Sequence, residues 1–299
     1  MTHIATLIAD PARFALDEAP LARALTALPA PGAVQWLERG IAADIPFTPR
    51  PGADQREIAD MVRAALGEIP VDIVVQPAAH RRKKLLVADM DSTMIAQECI
   101  DELADLVGLK AHVSAITERA MRGEIAFEPA LRERVSLLKG LPVAVVDRLL
   151  STRITLTPGG RTLIATMRAH GAYTCLVSGG FTLFTQPIAR MIGFDEQRAN
   201  ILALSNNQTF AGTVGEPILG REAKLATLLD LAARQGIGLD ETLAIGDGAN
   251  DLAMLGAAGL GIAYHAKPAV AAAAHARIDH NDLSALLYVQ GYRREEFAL

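Results

Sequence analysis

The stretch Leu85-Leu86-Val87-Ala88-Asp89-Met90-Asp91-Ser92-Thr93 decides the fold. Its first four residues are apolar without alternation, the pattern of a strand buried on both faces of a parallel sheet. It ends on two carboxylates, Asp89 and Asp91, and ligand sites in open α/β sheets form beyond the carboxyl ends of such strands. Alternation along an extended chain puts both acids on one side, where like charges crowd, so the pair needs a cation or a shared proton.

Working outward, Tyr173 to Val177, Thr242 to Ile245 and Leu260 to Ala263 repeat the buried-strand pattern and alternate with helical periodicity. The prediction is a β-α-β core. Gly171, just after the helical stretch Gly160 to His170, suits a helix C-terminus, and Pro158 stands near that helix's start. Ile100 to Leu150 carries helical periodicity between the first two strands, and predicts an insertion. Ile201 to Val214, with Asn206-Asn207 between two runs of strand character, predicts a hairpin, and Ala269 to Ala274 a packed helix.

Upstream, the order is strand (His3 to Ile8), helix (Leu21 to Leu28), strand (Ala33 to Ile41), helix (Asp54 to Leu66) and strand (Val71 to Val75). That predicts a small α+β unit over residues 1–80, with residues 81–299 forming the second domain. The basic run Arg81-Arg82-Lys83-Lys84 at the boundary reads as a solvated linker with no function.

The whole chain has 299 residues, enough for about two domains, with 51% hydrophobic and 21% charged residues and a net charge of −5. An acidic balance argues against nucleic acid and anionic membranes as partners. Only two cysteines occur, Cys99 and Cys175, in no ligand spacing, which fits a reducing cytoplasm. No basic n-region and no uninterrupted apolar stretch of about 18 residues argue for export or a membrane span.

Three more features gather at the same sheet edge. Val177-Ser178-Gly179-Gly180 follows the second strand, offering a hydroxyl and unobstructed backbone amides to phosphate oxygens. Gly246-Asp247-Gly248-Ala249-Asn250-Asp251 follows the third and adds two carboxylates. Lys224, near the start of the helix before that strand, supplies a point positive charge.

In this order the residues resemble the haloacid dehalogenase superfamily of phosphotransferases and, within it, the phosphoserine phosphatases. Met121 to Glu128 and Leu131 to Leu138 are similar to that family's cap, Glu98 stands where it keeps a substrate-binding acid, and the likeness runs over roughly residues 85 to 290. The resemblance implies an α/β, doubly wound parallel-sheet core with an inserted helical cap at about 96–155, preceded by a small α+β, ACT-like and regulatory-type domain.

The resemblance further implies a phosphoaspartate on Asp89, Asp91 as acid and base, and Mg²⁺ held by Asp89, Asp247 and the main-chain carbonyl of Asp91. Ser178, Gly179 and Lys224 would hold phosphate, with Asp251 behind the metal waters or Lys224. Glu98, Met121, Phe127, Arg134 and Asn250 would contact phosphoserine, the serine-biosynthesis substrate, and a homodimer is left open. A carboxylate nucleophile suits the chemistry because it is already ionised at neutral pH. Two other readings share features: a phosphatase or phosphotransferase for another small phosphomonoester has the same core, and a phospho-accepting signalling receiver lacks both the second carboxylate and the helical cap.

Overall fold

The computed structural model describes residues 1–13, 15–121, 124–206 and 208–298, apart from the side chain of Met121. Arg122, Gly123 and Asn207, which belong to the cap motif and the predicted hairpin turn, lie outside the described residues.

The first sheet is built from β1 (His3–Ala9), α1 (Glu18–Ala27), β2 (Gln35–Glu38), β3 (Ala42–Phe47), α2 (Gln55–Leu66) and β4 (Val71–Pro77). Asp17 and Asp54 start the two helices by accepting the amides of Ala19 and Arg56 at 3.0 and 2.8 Å, which satisfies otherwise orphaned donors. The strands are antiparallel in the order β2-β3-β1-β4, and both helices cover one face. Where the sequence pattern predicts one strand over Ala33 to Ile41, the chain instead turns back at Gly40, whose φ of +79° favours glycine, and adds β3. Asp44 and Pro46 disguise β3 as a loop, yet Asp44 is buried because its charge is met across the sheet by Arg81.

The second sheet begins with β5 (Leu85–Asp89), and the chain then turns through residues 90–94 into four helices: α3 (Cys99–Leu106), α4 (Lys110–Met121), α5 (Phe127–Ser136) and α6 (Val145–Thr152). Next come α7 (Gly160–Ala169), β6 (Tyr173–Phe181), α8 (Thr182–Ile192), β7 (Glu196–Asn200), and the hairpin β8 (Leu202–Ser205) and β9 (Thr209–Val214). The chain closes with α9 (Arg221–Gln235), β10 (Thr242–Gly246), α10 (Leu252–Ala257), β11 (Leu260–Tyr264), α11 (Pro268–Ala273), β12 (Ala276–Ile278) and α12 (Ala285–Val289).

The six strands of this sheet are all parallel in the order β12-β11-β10-β5-β6-β7, so the order reverses beside β5, the switch point at which such sheets open a crevice. It is an α/β doubly wound core with a helical insertion. β7 and β12 had no sequence signature because they are the two edges: Glu196-Gln197-Arg198 is polar, and β12 spans three residues.

The basic run at 81–84 is the plainest correction to the sequence reading. Arg81 bonds both oxygens of Asp44 at 2.6 and 2.7 Å, Thr6 Oγ1 at 2.9 Å, and the carbonyls of Tyr288 and Val289 at 2.9 and 2.8 Å. Lys83 is buried with its ammonium on the Asp240 carbonyl at 2.7 Å, and Arg82 pairs with Glu296 at 2.7 Å over the Tyr292 ring. Arg81 fastens the first sheet to the end of the chain, while Arg82 and Lys83 bind the linker itself to the second domain.

Candidate active site

Register decides what meets at the carboxyl edge. Asp89 pairs with Val177 and Ala88 with Ile245, so Ser178 and Asp247, each just beyond these partners, flank Asp89 from both neighbouring strands. Lys224 arrives on the first turn of α9, almost fully buried. Its Nζ lies 2.7 Å from Asp89 Oδ1 and 2.6 Å from Asp251 Oδ1, so one ammonium bridges two carboxylates. The Met90 amide donates to the same Asp89 oxygen at 2.8 Å. Asp251 Oδ2 accepts the Gly248 amide at 3.1 Å, and a side chain at Gly246 would collide with this carboxylate.

Oxygen atoms of Asp89, Asp247 and Asp251 all fall within 4.8 Å of one another. Burial, then the charge of Asp251, pushes Asp89 well above the ordinary carboxylate range against the pull of Lys224, and the same two causes push Asp247 up to about 6. Burial alone would lower Lys224, but Asp251 and Asp89 outweigh it and hold the lysine above its usual value. Three acids against one cation leave the cluster short of positive charge. An all-oxygen donor set of that charge fits a hard divalent cation, which removes the repulsion without needing protons.

Asp91 is held apart from this convergence. Its Oδ1 accepts the Cys99 amide at 2.9 Å and its Oδ2 the Ser178 hydroxyl at 3.1 Å. Burial raises its pKa, opposed by those hydrogen bonds, so its carboxyl holds a proton more readily than an exposed aspartate does. Ser92, at a left-handed φ of +55°, turns the chain between the acids and donates to Glu98 Oε1 at 2.6 Å. Burial and then the charge of Asp91 push Glu98 up to about 7.

The cap faces this edge. Arg134 is buried, with Nε on the Ala130 carbonyl at 3.1 Å and one terminal nitrogen on Thr117 Oγ1 at 3.0 Å. Burial lowers its pKa, while the charges of Asp101, Glu98 and Asp91, in that order, oppose the shift. Phe127 at the start of α5 lies against Gly179. Asn250 is half-buried in the turn after β10, folded against Gly248. Met121 ends α4, and its side chain lies outside the described residues.

Sequence reasoning passed over several side chains that hold this arrangement. Thr93 Oγ1 donates to Asp247 at 3.0 Å, Thr117 tethers Arg134, and Asp101 accepts the Ser114 hydroxyl at 3.0 Å while its other oxygen is buried without a hydrogen-bond partner among the described residues. Thr93 stood inside the quoted motif; Thr117 and Asp101 had no local signal, because only the folding of the insertion gives them partners.

Residues 86–256, more than half of the chain, match the family model of haloacid dehalogenase-like hydrolases. A phosphoserine phosphatase of Polaromonas sp. is 44% identical over 74% of this chain and 97% of its own length. One of Streptomyces coelicolor is 45% identical over 78% of this chain, which spans only 56% of that relative. Among solved structures, a haloacid dehalogenase family hydrolase of Salmonella enterica serovar Typhi superposes over 96% of this chain and 98% of its own, with a TM-score of 0.84 at 31% identity. No described helix is long and apolar enough to cross a membrane. The acids and lysine that the parallel sheet brings together lie inside the matched span, and the chain belongs to the haloacid dehalogenase-like hydrolases and, among them, to the phosphoserine phosphatases.

Proposed function

We propose that the chain hydrolyses O-phospho-L-serine to L-serine and phosphate, the last step of serine synthesis, through a phosphoaspartate on Asp89. The observation that carries this reading is the separation of two aspartates two residues apart: Asp89, buried on Lys224 within the carboxylate cluster, and Asp91, half-buried outside it on Ser178 and the Cys99 amide. One group is equipped to attack and the other to handle protons.

Asp89 and Asp247, with the main-chain carbonyl of Asp91, would hold Mg²⁺, with Asp251 converging on the same point. Bound there, the ion supplies positive charge that offsets the repulsion between a phosphate dianion and an attacking carboxylate. Lys224 and the Met90 amide both engage Asp89 Oδ1, which leaves Oδ2 to approach phosphorus. Lys224, the Ser178 hydroxyl and the Gly179 amide then receive the phosphate oxygens on which charge spreads. Asp91 gives its proton to the departing serine oxygen and takes one back from the water that cleaves the acyl phosphate. Asp251 keeps Lys224 in place, and Thr93 keeps Asp247 in place.

Selectivity falls to the cap, since every phosphomonoester offers the core the same phosphate. Glu98 would take the substrate ammonium, Arg134 its carboxylate, and Asn250 a further polar contact, with Phe127 and Met121 excluding water. Residues 1–80 contribute none of these groups and form a small α+β, regulatory-type unit packed against the phosphatase domain.

A phosphate-release assay across phosphoserine, phosphothreonine and sugar phosphates tests the reading. Phosphoserine is expected to be turned over fastest, with activity lost on chelation and restored by Mg²⁺. Preference for another phosphomonoester would replace the substrate while keeping the chemistry, and stoichiometric retention of phosphate would point to a receiver.

A further inference from the structure

At one contact between cap and core, Phe127 of the cap meets two glycines of the core. A Cβ at Gly179 would lie 3.2 Å from Phe127 Cζ and 3.5 Å from Cε2, and a Cβ at Gly220 would lie 3.2 Å from Cδ1 and 3.6 Å from Cε1. Two stretches of one ring's rim, Cδ1–Cε1 and Cζ–Cε2, therefore meet two separate pieces of the core, each at a residue without a side chain. Gly220 does not need to be glycine for its backbone: its φ of −103° and ψ of −158° are extended, open to any residue.

Asn200, at the end of β7 and 2% exposed, joins the two pieces. Its Nδ2 donates to the Gly179 carbonyl at 2.8 Å and to the Leu219 carbonyl at 3.0 Å, while its Oδ1 accepts the Leu219 amide at 2.7 Å. One buried amide side chain thus fixes the distance between Gly179, beside Ser178 near the end of β6, and Gly220, one turn before Lys224.

We propose that Gly179 and Gly220, tied together by Asn200, form the seat in which the cap's Phe127 lodges, and that the bare backbone at Gly220 sets how far the cap closes over the site. The proposal rests on the phosphatase reading and adds to it a positioning residue outside the phosphate-binding set. Its consequence is that bulk at 220 holds Phe127 off the seat, opens the cap, and weakens water exclusion and substrate alignment.

The competing account is that Gly220 serves only as the residue preceding α9, a position where glycine is acceptable and serine is better. Gly220→Ser separates the two, since it improves the cap of α9 while crowding the ring. With the fold checked by thermal melting, Gly220→Ser is expected to lower kcat/KM for phosphoserine about tenfold, mainly through KM, because small misplacements at a reacting centre are costly. The same change in a Phe127→Ala background is expected to have little further effect, since the ring that it would strike is gone. Hydrogen exchange of cap residues 124–136 is expected to quicken in Gly220→Ser and not in the double variant relative to Phe127→Ala. Exchange needs no turnover, so the seat is tested even if phosphoserine is not the substrate. Unchanged kinetics and exchange in Gly220→Ser, or equal losses with and without Phe127, would overturn the proposal.

Discussion

At the scale of single residues, environment divides labour among chemically identical groups. Asp89 and Asp91 differ by two positions in sequence, yet one shares Lys224 with Asp251 and the other accepts a hydroxyl and an amide. Asp91→Asn should therefore keep the fold and phosphate binding while lowering kcat by about 10²–10⁴, the usual worth of a positioned acid/base. Steady-state kinetics showing an unchanged kcat would remove Asp91 from that role. Glu98 gives a pH test. Its carboxyl is pushed up to about 7, first by burial and then by Asp91, from an ordinary 4.5. Between those values the folded chain holds a proton that the unfolded chain has released, so this residue's contribution to stability falls as pH rises through the window. An ammonium beside it favours the ionised form, so KM for phosphoserine, measured relative to p-nitrophenyl phosphate, should drop as pH rises from about 6 to about 8, by up to about tenfold per unit below 7. In Glu98→Gln the relative KM should be flat; a slope that survives there would assign the titration elsewhere.

At the scale of elements, the insertion is the part whose internal order matters most. Its helices are held together by polar contacts as well as apolar packing: Arg134 of α5 is anchored on Thr117 of α4, and Asp101 of α3 on Ser114 of α4. Thr117→Val removes the anchor without changing the size or charge of the arginine. KM for phosphoserine is expected to rise several-fold with kcat nearly unchanged, equivalent to roughly 1 kcal/mol for one hydrogen bond, while activity on p-nitrophenyl phosphate is retained. Equal losses on both substrates would place Thr117 in cap folding rather than in amino-acid recognition. The hairpin of β8 and β9 belongs to the same assembly, since it bonds the segment between α5 and α6 through Gly140, Leu141 and Val143.

At the scale of the whole molecule, the first sheet is fastened to the second by buried charge. Asp44 is met by the forked Arg81 guanidinium, which also bonds the end of α12, and Asp72 accepts amides from Asp279, His280 and Asn281. Arg81→Ala would leave Asp44 buried without its counter-charge, and should cost about 3–5 kcal/mol in urea unfolding. A loss below about 1 kcal/mol, the worth of an exposed pair, would mean that the joint is open to water. Removing residues 1–80 should for the same reason cost stability even where catalysis survives, because Arg81 loses Asp44, the Val289 carbonyl loses Gln76, and the amides of Asp279, His280 and Asn281 lose Asp72.

What the sequence determined by itself was everything carried by local pattern. Buried strands announce themselves as unbroken apolar runs, and the acids, Ser178, Gly179 and Lys224 stand at the ends or beginnings of those runs, so their gathering at one edge follows from parallel topology. The tertiary structure alone decided which polar residues meet over long separations. Arg81 reads as a solvated cation until Asp44, 37 residues away, is folded onto it; Asn200 carries no signal in the sequence until Gly179 and Leu219 close around it; β3 reads as a loop until Asp44 finds its partner. The physical reason is common to all three. A polar group is buried only when its hydrogen bonds or charge are met there, and whether they are met depends on residues brought together by the completed fold.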